Sequence, residues 1–109
     1  MYNQQVLQWL LKINEDDCLE LDQSSVVITA GSDYQQVVFG EIDKKYYFCV
    51  IGSPYLMAMT KWLQEQLNTS PAMSLEHYDV TQLVDLFELP QHKRKDALLI
   101  VQLIEQLQG

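Results

Sequence analysis

No run of about 18 consecutive apolar residues occurs in this chain, so a membrane-spanning helix is not expected. The opening MYNQQVLQWLLKINEDD carries neither the basic start nor the small-residue cleavage site of an export signal. A soluble, cytoplasmic protein is the expectation. Cysteine is scarce: Cys18 and Cys49 are spaced for neither a metal site nor a redox pair, and reduced thiols, with Cys49 buried in a strand, are expected. The four glycines, Gly31, Gly40, Gly52 and Gly109, build no phosphate-cradling loop, so no nucleotide cofactor is implied. Only two histidines occur. His77 lies near Glu76 and Asp79, but no Ser or Cys nucleophile is placed beside it by any motif, and Glu15, Asp16 and Asp17 lack the alternating oxygens and glycine of a calcium loop. No catalytic residue, metal or cofactor is expected, and the protein is read as a non-enzyme. Basic residues are few: seven Lys and Arg against fifteen Asp and Glu leave a net charge of −8. Nucleic acid and anionic membrane surfaces are bound mainly through Lys and Arg, so neither is an expected partner, whereas a partner of basic character is.

What is present is a chain of 109 residues, 48% apolar, enough for one domain spanning residues 1–109. Five of the fifteen acids fall between Glu15 and Asp22, and three of the seven basic residues are adjacent at Lys93, Arg94 and Lys95; both runs suit solvated surface. Val6, Leu7, Leu10, Leu11 and Ile13 predict a helix over Asn3 to Ile13. Strands are predicted over Ser24 to Gly31, Gln35 to Ile42 and Lys45 to Ile51, with the short Asp43-Lys44 connection making the last two antiparallel neighbours. A second helix, Tyr55 to Asn68, carries Leu56, Met59, Leu63 and Leu67 in one stripe, with Tyr55, Met57 and Trp62 widening it. So broad a face in so small a domain suggests a contact shared with a second copy.

The organising stretch is QLVDLFELPQ, Gln82 to Gln91. Gln82 to Leu89 reads as an apolar strand stopped by Pro90, and Ala97, Ile100, Val101, Ile104 and Leu107 then predict a final helix lying back across it. Periodicity leaves the segment after Pro71 open: MSLEHYDVTQLVDLFEL fits one helix, or a hairpin of Ala72 to Tyr78 and Gln82 to Leu89. With the hairpin, the fold class is α+β in the order α-β-β-β-α-β-β-α, a twisted antiparallel sheet packed with helices.

Leu83, Val84, Leu86, Phe87, Leu89 and Pro90, in the pattern LVxLFxLP ahead of a last helix, resemble the C-terminal third of the class I type III secretion chaperones. The order of elements resembles that family along nearly the whole chain. The resemblance favours the hairpin and implies a cytoplasmic homodimer holding the N-terminal segment of a secreted effector in extended form. Client contacts would fall on Val6, Leu10 and Ile13 of the first helix and Val38, Tyr46 and Phe48 of the strands, and the dimer contact on Met59, Trp62 and Leu63. Binding would act by mass action on a disordered client, with release left to a secretion ATPase. The cluster Lys93 to Lys95 departs from the pattern, since a helix start disfavours positive charge, and places the last helix's beginning nearer Asp96. A rival from another class is an acidic immunity protein or antitoxin that binds a folded basic toxin.

Overall fold

The computed structural model describes residues 3–13, 26–32, 35–69 and 78–108. The first helix, α1, spans Gln4–Leu10, and Asn3 caps it by accepting the Val6 N–H at 3.0 Å. Strands β1 (Val26–Ser32), β2 (Gln35–Ile42) and β3 (Lys45–Ile51) follow. They form an antiparallel sheet in the order β1-β2-β3. Asp43 and Lys44, both at positive φ (54° and 69°), make the two-residue turn whose twist suits a hairpin, so Phe39 faces Phe48 and Val37 faces Val50. Gly31, at φ 103°, closes on the start of β2; a Cβ there would stand 2.0 Å from the Gln35 carbonyl oxygen.

Helix α2 (Pro54–Thr69) starts with proline in the first turn, where its missing N–H costs nothing, and Ser53 Oγ accepts the Leu56 N–H at 3.3 Å. The chain then differs from expectation. The strand proposed over Gln82 to Leu89 is a helix, α3 (Val80–Phe87), so the order is α-β-β-β-α-α-α with a 3-10 turn at Gln91–Lys93 before the last helix, α4 (Arg94–Gln108). The other half of the proposed hairpin, Ala72 to Tyr78, lies outside the described residues except for Tyr78. The physical reason for the correction is in the pattern. Strand alternation would carry Asp85 onto the same face as Leu83 and Phe87, whereas helical spacing buries Leu83 and Phe87 and leaves Asp85 exposed. Asp79 supplies the cap, accepting the Gln82 N–H at 2.8 Å, and Glu88 ends the helix in the left-handed region at φ 51°. Because α3 is a helix, α4 lies not on a preceding strand but against α3, α2 and β1. It begins at Arg94, so Arg94 and Lys95 lie inside it rather than before it.

The core sits between one face of the sheet and the helices. Ile28, Ala30, Val37, Phe39 and Phe48 meet Leu56, Met59 and Leu63 of α2, and Ala97, Ile100, Leu103 and Ile104 of α4. Trp62 joins α2 to α3, its ring edge-to-face with Tyr78 (centroids 5.0 Å apart) and Phe87 (5.9 Å).

Candidate functional site

A three-stranded sheet has two outer edges, and the helices treat them differently. In an antiparallel ladder, alternate residues of an edge strand direct their main-chain groups outward. On β1, the Thr29 carbonyl is such a group, and it accepts the Gln106 side-chain amide of α4 at 2.7 Å. On β3, the Tyr46 N–H donates to Asn68 Oδ1 at 2.9 Å, and its carbonyl accepts from Gln64 Nε2 at 3.0 Å and Asn68 Nδ2 at 3.4 Å. Lys61, buried on α2, donates to Gln64 Oε1 at 2.8 Å and so fixes which end of that amide faces the strand. By the same alternation Phe48 and Val50 direct their N–H and C=O groups outward, and among the described residues no strand pairs with them. Beyond them Ile51 is 57% exposed. Phe48 is only 2% exposed and so closed to an added strand, which leaves Val50 as the point on β3 where the described residues cap no edge.

The residues singled out from sequence separate into two groups. Val6 and Phe48 are fully enclosed in the core, while Leu10, Ile13, Val38 and Tyr46 are half-buried. The six do not form one surface: Val38 lies on the outer face of the sheet, and Phe48 and Tyr46 on the inner one. The Phe48 side chain packs 5.9 Å from Phe39, and with the whole residue 2% exposed neither it nor its main chain lies open to a client. The Tyr46 phenol is held above its ordinary pKa, first by burial and then by the Glu41 carboxylate opposite, which also accepts its hydrogen bond. Met59, Trp62 and Leu63 are buried by the chain's own elements. The premise for a contact there, that one chain could not enclose so broad a helix face, does not hold: β3, α1 and α4 pack on α2, and Trp62 reaches α3.

The capping amides Gln64, Asn68 and Gln106 were not legible in the sequence, because a polar helix residue gains this role only once its helix is docked over a strand edge. Cys49, opposite Val38 on the outer face, is half-buried and disulfide-bonded, not the buried reduced thiol expected. Among the described residues no cluster of His, Cys, Asp and Glu could hold a metal ion, and no helix is long and apolar enough to cross a membrane. No protein-family model and no curated protein matches the chain.

Proposed function

We propose that this protein is a chaperone of the type III secretion kind, which takes the N-terminal segment of a secreted effector as an added strand and keeps it extended and soluble until export. The observation that carries this reading is the end of β3, beside the exposed Ile51, at the half-buried Val50, whose outward N–H and C=O no strand among the described residues pairs. The neighbouring cap of Asn68 and Gln64 on Tyr46 sets where pairing stops and so fixes a register. With Gln82 to Leu89 no strand, the client is received by the three strands among the described residues. The protein acts as a cytoplasmic homodimer and is not an enzyme; a secretion ATPase supplies the release step. A reducing cytoplasm would open the disulfide at Cys49.

The net charge of −8 favours one other reading, an immunity protein or antitoxin that binds a folded basic toxin. One substitution separates the two. Val50→Pro removes the outward N–H without touching the β2–β3 ladder. Calorimetric titration with the N-terminal segment of a secreted protein encoded beside this gene should show binding that Val50→Pro weakens by about tenfold or more at unchanged fold, read from circular dichroism. Equal binding by Val50→Pro would remove the edge from this role. Binding only to a folded partner, fading steeply with salt, would establish the toxin reading instead.

A further inference from the structure

Where β3 runs into α2, an open cavity of about 480 Å³ is lined by Gln35, Ile51, Gly52, Ser53, Lys93 and Lys95. That size lies within the range of small-molecule sites, about 300–1,000 Å³. Both charged groups on its wall are cations, on a protein whose net charge is −8. The carboxylate nearest in sequence, Asp96, makes no ion pair with them. Asp96 is fully buried, with Oδ2 accepting from Ser53 Oγ at 2.7 Å and Oδ1 from Gln35 Nε2. Its oxygens are thus turned to neutral donors, and they fix both of those lining side chains in place. Among the described residues no ion pair joins Lys93, Arg94 or Lys95 to any carboxylate. Lys93 Nζ has instead the Tyr55 ring, 5.9 Å away at the outer limit of a cation–π contact. Lys93 in the 3-10 turn and Arg94 and Lys95 in the first turn of α4 oppose the helix macrodipole and, the Tyr55 ring apart, gain no partner among the described residues. Gly52 keeps the wall thin, since a Cβ there would meet Leu56 Cδ2 at 2.7 Å and Gln35 Cγ at 3.4 Å.

We infer that this cavity binds a small molecule through a compact oxyanion, a phosphate or carboxylate group held by Lys93 and Lys95. The ligand is compact because attraction here is local. Screening confines the field of the lysines to about 8 Å at physiological salt, and a long polyanion would meet the acidic remainder of the surface. The Ile51 side chain gives the cavity an apolar wall for the rest of the molecule. This site is separate from the client edge, and Val50→Pro should leave it intact.

The test is a titration of the isotope-labelled protein with pyrophosphate and, separately, with citrate at constant ionic strength, following backbone amide shifts. Saturable shifts confined to Gly52, Ser53 and residues 93–96 are expected. Response to pyrophosphate alone assigns the phosphate class, to citrate alone the carboxylate class, and to both a general oxyanion site. The double variant Lys93→Gln, Lys95→Gln should weaken binding by about tenfold or more while unfolding at the same or a higher temperature. Shifts that never saturate, that spread equally to Lys12, Lys44 and Lys45, or that survive in the double variant would overturn the site. A double variant that loses stability would overturn it as well, by showing the cluster to be structural.

Discussion

Asn3 serves two helices at once. Its Oδ1 accepts the Val6 N–H at the start of α1, while its Nδ2 donates to the carbonyls of Phe87 (2.8 Å) and Glu88 (3.1 Å) at the end of α3. Asn3→Ala removes all three bonds and should lower stability by about 1–2 kcal/mol in urea unfolding at an unchanged slope. Asn3→Asp keeps the acceptor but replaces the donor with a second acceptor facing two carbonyls, so it should recover only the α1 cap. Glu88 presents the opposite case, an exposed residue held at φ 51°. Glu88→Gly should raise stability by about 0.5–1 kcal/mol, because a Cβ is strained in the left-handed region by more than glycine's extra freedom costs the unfolded chain. At Tyr46 the raised pKa fixes the sign of a pH effect. The fold favours the neutral phenol, so its contribution is whole below about pH 10 and is lost as pH rises through the raised value. Tyr46→Phe, compared with the parent by alkaline unfolding, should lack that component.

The elements built from unmixed patterns were legible in the sequence, and the one with a mixed pattern was not settled by it. β2 and β3 fall where β-branched and aromatic residues flank Asp43-Lys44, and α4 where Ala97, Ile100 and Ile104 recur at helical spacing. Residues 80–87 contain Val, Leu and Phe at densities that suit a strand, and their likeness to LVxLFxLP pointed to one. The deciding signal was Asp79, whose carboxylate caps the helix three residues before Gln82. Asp85 tests this element directly, as an exposed site in the interior of α3. Asp85→Ala should stabilise by about 0.5 kcal/mol, since alanine is the better helix former. Asp85→Pro should cost about 3 kcal/mol or more, because it removes an interior helical hydrogen bond. The edge caps belong to the same scale. They arise from two helices docked over two strand edges, a relation between elements distant in sequence, which no local pattern announces.

For the whole molecule, enclosure of α2 changes what a homodimer could be. Trp62→Glu, a change that would split a dimer joined through α2, here puts a carboxylate between the rings of Tyr78 and Phe87 in a site only 4% exposed. It should unfold the chain, with a loss of at least about 3 kcal/mol, and yield no folded monomer. A dimer must instead use apolar side chains that remain outside, and Leu7 and Leu11, 42% and 86% exposed, follow one another around α1 at a spacing of one turn. Each chain brings a charge of −8, so association gathers like charge and should tighten as salt screens it, the reverse of binding to a basic toxin. Light scattering coupled to size exclusion, at low and high ionic strength, is therefore expected to give a mass near twice 12.7 kDa, most completely at high salt. Leu7→Asp with Leu11→Asp should return the mass to one chain without lowering the unfolding temperature, because neither side chain is in the core. A single-chain mass at both salts would end the homodimer and leave the β3 edge to act in a monomer. A dimer untouched by the double substitution would move its contact off α1, to a face on which the described core does not depend.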